Sequence, residues 1–255
     1  VLLAGGASLA TALAPFPAAA RATAAADLRT VVYVGLTIDG FLARPDGALD
    51  FLPTPSDPSE DFGFADFLAS VDVVVMGRKT FDQVAAFVAE GVPWPYAGKP
   101  VYVVSRTMRQ EDVPLEALAA ARASGEGVSE KISPIIVSAS SPAETLRVVA
   151  QSSLVSSRRN KNTPRAPLRA YVDGGSVIRA LLEEDLVDEM VLTTVPVLIG
   201  RGAPLFGFDA RDGKDRSWDV AASTKYENDG LVKTRYVRGG DEDETRLASG
   251  VKRKA

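Results

Sequence analysis

Two stretches of the chain pass from an apolar, β-branched segment through glycine directly into a helical pattern: VVVMGRKTFDQV at 73–84 and YVDGGSVIRALL at 171–182. A strand that hands over to a helix with almost no loop opens a parallel crossover, because the helix must then pack back across the sheet. The same alternation continues around them. TVVYVGLTI (30–38), VYVVS (101–105), PIIVS (134–138) and VDEMVLTTVPVLI (187–199) have strand composition. Segments 59–70 and 78–88 have helical spacing, and Ser141-Pro142-Ala143-Glu144 opens another helix with a capping-box pattern. The stretch WDVAASTKYENDGLVKTRYVR (218–238) reads as two alternating strands joined at Asn228-Asp229-Gly230, a strong hairpin signal. The expected fold class is α/β in three layers, a mixed central sheet with helices on both faces and an antiparallel hairpin last.

Composition removes whole classes of chemistry. The 255 residues include no cysteine and no histidine. Disulfides, thiolate nucleophiles, imidazole bases and almost every zinc site are thereby excluded, and proton transfer falls to carboxylates, Lys, Tyr or water. With a net charge of −4 and a pI near 5.1, the overall field does not favour polyanions. No nucleic-acid partner is expected, and any anion site must be local.

Residues 28–238 are expected to form one domain. Residues 1–27 read as a targeting leader or a disordered extension, Ala-rich and broken by Pro15 and Pro17, too short to span a bilayer. Hence no membrane partner is expected. Residues 151–169 read as a basic insertion carrying Arg158, Arg159, Lys161, Arg165 and Arg169, either a solvated loop or a grip for a phosphate-bearing ligand, and residues 239–255 read as a polar tail.

The first strand–helix junction is a natural anion seat. The opening amides of a helix lack intrahelical partners, and its dipole is positive there. Gly77 permits close backbone approach, Arg78 and Lys79 add charge, and Thr80 adds a hydroxyl. The stretch is not a P-loop, since Val73 and Arg78 stand where that pattern needs glycine. The second junction, Asp173-Gly174-Gly175-Ser176, offers bare backbone to a diphosphate, and Val104-Ser105-Arg106-Thr107 supplies a further hydroxyl and guanidinium. Three such strand ends suit one ligand with several phosphates lying across the sheet edge, and a nucleotide cofactor is the economical choice. Gly200-Arg201-Gly202-Ala203-Pro204 lacks the third glycine of a dinucleotide fingerprint and reads as a turn.

Taken in order, VYVGLTIDGFLARPDGALDFL, VVVMGRKTFDQV, KPVYVVSRT and YVDGGSVIRALLEEDLVDEMVLTTVPVLIGRGAPLF resemble the dihydrofolate reductase-like superfamily. The resemblance is to its stand-alone branch similar to the reductase domain of bacterial riboflavin biosynthesis, and it covers roughly residues 30 to 238. It implies a central sheet of about eight strands, an NADPH-dependent reductase and a homodimer. By that resemblance Arg78, Lys79 and Thr80 lie near the adenosine phosphates, Ser105 and Arg106 favour the 2′-phosphate, Gly174, Gly175 and Ser176 form the diphosphate turn, and Leu36, Thr37 and the Asp39-Gly40 loop border the nicotinamide. NADPH supply points to the cytoplasm or an organelle interior.

The expected chemistry is hydride transfer to an electron-poor carbon of a small planar heterocycle, a ribosylamino-pyrimidine of the riboflavin pathway being one candidate. A non-catalytic NADP(H)-binding module and a true dihydrofolate reductase are the alternatives. Dihydrofolate reductases proper hold the pterin with a carboxylate early in the first helix. Here Asp50, Glu60, Asp61 and Asp66 give no clean match, and Asp61, helped by Asp50, is the expected catalytic anchor, against the plainer reading of helix-start or surface charge. Phe62, Phe64 and Trp94 could stack on the heterocycle or belong to the core.

Overall fold

The computed structural model describes residues 28–57, 59–115, 118, 134–152, 167–207 and 215–239. The leader or extension at 1–27, residues 153–166 of the expected basic insertion and the tail beyond Gly239 lie outside the described residues.

The strands are β1 (Leu28–Thr37), β2 (Phe41–Ala43), β3 (Val73–Gly77), β4 (Val101–Val104), β5 (Ile135–Ser138), β6 (Leu168–Asp173), β7 (Glu189–Val195), β8 (Ala203–Pro204), β9 (Trp218–Tyr226) and β10 (Leu231–Arg238). The helices are α1 (Phe64–Ala69), α2 (Arg78–Ala89), α3 (Pro142–Gln151) and α4 (Gly175–Glu183), with one 3₁₀ turn at Gln110–Asp112. Eight strands make one sheet in the order β5-β4-β3-β6-β1-β7-β10-β9, and β2 pairs with β8 in a separate two-stranded sheet. Every pairing from β5 across to β7 is parallel, whereas β10 is antiparallel to both β7 and β9. The α/β class and the closing hairpin are as the sequence implies.

Parallel strands covered on both faces must be apolar at successive positions, and all five residues of β3 are buried. Val32, Val73, Val75 and Val172 pack with Leu146 and Val149 of α3 and Ile178 and Leu181 of α4. The alternate residues Val31, Val74, Met76 and Tyr171 pack with Phe67 of α1 and Phe81 and Val88 of α2. Among the described residues two helices cover each face of the sheet, which makes the three layers. Ser141 caps α3 as its sequence implies, its Oγ accepting the Glu144 amide at 3.2 Å.

One segment departs from the sequence pattern. Helical spacing over 59–70 yields a helix only from Phe64, because Asp61 accepts the amides of Gly63 at 2.7 Å and Ala65 at 2.7 Å, and Glu60 takes the amide of Phe62. Side chains that bond backbone amides locally compete with the helix and fix a turn instead. Phe62 adopts φ 57, and its carbonyl accepts from Tyr33 Oη at 2.7 Å, Tyr226 Oη at 3.2 Å and Lys233 Nζ at 2.6 Å. The turn is thereby fastened to β1 and to the hairpin.

Among the aromatics weighed as stacking platforms, Trp94 is buried against Phe81 and Tyr96, Phe64 packs with Tyr33 and Tyr171, and Phe62 meets Tyr226 edge-on. All three serve packing. Arg169, counted with the basic insertion, lies within β6 and joins Arg235 around the buried Glu189. Burial raises the Glu189 carboxyl, but bonds and charge from Arg235 and Arg169 outweigh it and hold the group below the usual glutamate range.

Candidate functional site

Strands β4, β3, β6 and β1 are consecutive neighbours in the sheet and run the same way, so their C-terminal ends form one edge. In register, Gly77 stands beside Val104, and Met76 beside Asp173. The turns at 105–107, 77–80 and 173–176 therefore follow one another along that edge. Parallel α/β sheets bind ligands outside such ends.

The two glycine junctions touch. A Cβ added to Gly174 would come within 2.5 Å of Thr80 Oγ1 and 3.5 Å of the Gly77 amide nitrogen, and one added to Gly77 would lie 3.7 Å from Ser176 Oγ. Gly174 also holds φ +93, a conformation costly for any side chain. Neither α2 nor α4 has a side-chain cap, and neither carries an acid in its first turn. Two helix starts that are positive in dipole and uncapped by side chains converge at one place. The bare backbone at Gly174 and these starts fit a phosphate-bearing cofactor.

The sequence-selected residues fall into two groups. Gly77, Lys79, Arg106, Gly174, Gly175 and Ser176 lie on the edge turns, and Lys79, Arg106 and Ser176 are exposed. Others are committed internally. Arg78 Nε bonds Asp82 one turn along α2, at 2.8 Å. Thr80 is packed beneath Gly174. Ser105 is buried, and its Oγ accepts the amides of Thr107 at 3.2 Å and Met108 at 2.9 Å, which shapes the turn carrying Arg106. Leu36 belongs to the core, and Thr37 is buried with its hydroxyl donated to Asp39 at 2.5 Å while accepting the Phe41 amide at 3.0 Å. That Thr37 bond, with the amides of Gly200 and Ile199, holds the Asp39 carboxyl below the ordinary aspartate range against its desolvation.

Both carboxylates expected to face substrate have partners. Asp50 receives Arg44 Nε at 2.5 Å and Nη2 at 3.0 Å. Asp61 accepts the amides at the start of α1, the Ala65 bond foremost, and its carboxyl lies below the usual range for that reason.

Two features of this edge escaped the sequence reading. Asp173 ends β6 at the glycine turn, between Tyr171 and Tyr96; burial pushes its carboxyl up, only partly offset by the Gly174 amide at 2.7 Å and by Tyr171. The signal was present in YVDGGS, where an acid inside an apolar strand precedes two glycines. The second feature is a cover. A Cβ on Gly175 would meet Leu42 Cδ1 at 3.0 Å and the Pro204 carbonyl at 3.3 Å, so the β2–β8 pair lies over this turn, and Arg179 of α4 donates to the Pro204 carbonyl. Strands of three and two residues, far apart in sequence, leave no periodic trace.

Among the described residues no group of His, Cys, Asp or Glu is placed to hold a metal ion, and no helix is long and apolar enough to cross a membrane.

Comparison with known proteins gives the same architecture. A solved structure from Shewanella sp. PV-4, named provisionally as a riboflavin biosynthesis protein, is 31% identical with a TM-score of 0.59, covering 82% of this chain and 98% of the other. The Bacillus subtilis protein YyaP, itself uncharacterized, is 26% identical over 220 residues, covering 83% of this chain and 96% of the relative. A Thermotoga maritima deaminase/5-amino-6-(5-phosphoribosylamino)uracil reductase shares the fold at 13% identity and a TM-score of 0.56, this chain spanning 58% of its length. Residues 30–232 match the family described as RibD C-terminal domain, and the chain belongs to that family, with the dihydrofolate reductase-like fold.

Proposed function

We propose that the protein is an NADPH-dependent reductase acting on a small planar heterocycle, of the kind represented by ribosylamino-pyrimidines. The observation that carries this reading is the meeting of two uncapped helix starts at Gly77, Thr80 and Gly174, on adjacent parallel strands of a RibD C-terminal domain. In this reading Gly174, Gly175 and Ser176 hold the diphosphate through backbone amides, and Gly77, Arg78, Lys79 and Thr80 build the second anion seat. Ser105 positions Arg106 for the 2′-phosphate. Bound NADPH supplies the hydride. The backbone of Leu36 and Thr37, at the end of β1, forms the wall against which the nicotinamide orients.

Titration of the full chain with NADPH and NADH tests the first half, with saturable uptake that is tighter for NADPH as the expected result. Loss of reduced-nicotinamide absorbance against a panel of pterins, pyrimidines and quinones tests the second. A binding-only reading is favoured by one observation: the carboxylates of Asp50 and Asp61, the expected catalytic anchors, are both engaged by other groups. It predicts NADPH uptake with no oxidation across the panel. The homodimer implied by the family is a further proposal, read by sedimentation.

A further inference from the structure

The outer strands of the eight-stranded sheet, β5 and β9, each have one side that no further strand pairs among the described residues, and such edges invite a strand from another molecule. The β9 edge carries the usual deterrents. Asp219 and Lys225 put charge along it, and its register with β10 shifts between Arg235 and Tyr236, which adds local twist. The β5 edge lacks both. Its residues, Ile135-Ile136-Val137-Ser138, are uncharged and mostly β-branched, and no charged residue occurs between Lys131 and Glu144. A strand of that composition is adhesive.

Which groups of β5 face outward follows from its pairing with β4. The amides of Val101 and Ser105 donate to the carbonyls of Pro134 and Ser138, both at 2.9 Å, and the register is parallel. Backbone groups alternate in direction along a strand, so those of Ile135 and Val137 point away from β4. There the side chain of Gln110 stands in for a strand. Its Nε2 donates to the Ile135 carbonyl at 2.8 Å, and its Oε1 accepts the Val137 amide at 2.9 Å. One residue of an added parallel strand would make this same pair of bonds, and an added antiparallel strand needs the same two groups. The turn that presents Gln110 is itself set: the Arg109 amide bonds Asp112 Oδ2 at 2.8 Å, and Met108 and Val113 on either side are buried.

We propose that Gln110 is a guard that holds the β5 edge shut against strand addition, and that the partner it excludes is the β5 edge of a second copy of this chain. Two such edges are self-complementary. A two-fold axis between them sets Ile135 and Val137 of each copy against those of the other, in an antiparallel pairing that no charge opposes. Only the side-chain amide has to swing away for this to happen. Gln110 is exposed, so its removal leaves the core untouched. The proposal is independent of the reductase reading.

Sedimentation of the full chain over a range of concentrations tests it, with amide hydrogen exchange as a second readout. Gln110→Ala is expected to form a species larger than the wild-type particle, with self-association about tenfold or more tighter than in wild type. In dilute solution the same variant should release the Val137 amide, whose exchange should rise by a similar factor. Val137→Pro separates edge pairing from general unfolding, because it removes an outward N–H that β4 does not use. The double variant Gln110→Ala with Val137→Pro should therefore sediment as wild type. Association that persists in the double variant overturns the proposal. So does Gln110→Ala with wild-type sedimentation at every concentration, or with the Val137 amide as protected as before.

Discussion

The hydroxyl of Thr80 occupies the space beside Gly174, within 2.5 Å of where a side chain at that glycine would begin. The two residues belong to different strand–helix junctions, so the contact sets the spacing of both helix starts.

Gly174→Ala would bring a methyl group into that hydroxyl at a φ of +93. Strain at such a position costs roughly 1–3 kcal/mol. We expect a lower thermal midpoint and NADPH affinity reduced about tenfold or more. The pair Thr80→Ala with Gly174→Ala should recover part of the stability, since only the steric share is relieved, and the non-additivity measures the contact. Simple additivity in thermal unfolding would show the two junctions to be independent.

Arg106 stands exposed on a turn shaped by Ser105. Arg106→Ala should lower affinity for NADPH about tenfold while leaving NADH almost untouched, because only the former carries a 2′-phosphate. Equal losses for both dinucleotides would place the 2′-phosphate elsewhere.

Burial raises the Asp173 carboxyl above its unfolded value. Folding then favours the protonated form, so its contribution to stability is present below the ordinary aspartate range and is lost as pH rises through the raised value. Asp173→Asn should stabilise the protein at neutral pH, flatten the pH profile of unfolding on its acid side and tighten NADPH by removing a negative charge beside the glycine turn. An unchanged profile would show that Asp173 titrates normally.

Glu189 has the opposite sign. Its folded value is lowered, so its stabilisation is present above the ordinary glutamate range and lost as pH falls through the folded value. Glu189→Gln leaves Arg169 and Arg235 facing each other where the carboxylate was 5% exposed. Breaking a buried pair costs about 3–5 kcal/mol, and the partial exposure of the arginines puts this case near the lower figure. Denaturant unfolding at neutral pH would measure it, and a change within error would mean that water already screens the cluster.

The layers were legible because period and composition agree along each central strand: β3 is apolar at every position except its closing glycine, and a strand buried on both faces requires this. The hairpin was legible through Asn228-Asp229-Gly230. At the edge, glycines marked the turns because only bare backbone fits there. The destinations of long polar side chains were not legible. Asp50 reaching Arg44, Arg78 reaching Asp82 and Asp61 taking two amides are outcomes of rotamer and loop path, which spacing along the chain does not encode. The β2–β8 cover joins Phe41 to Pro204, a pairing between segments too short and too distant in sequence to leave a pattern.

The place of β1 in the middle of the sheet bears on biosynthesis. Its neighbours β6 and β7 lie far downstream, so Tyr171 meets the Tyr33 carbonyl across 138 positions. During translation this β-branched strand emerges long before anything can pair with it, and loops of that length slow the search. Until β6 and β7 have been made, the nascent chain carries this apolar strand without the partners that cover it in the sheet.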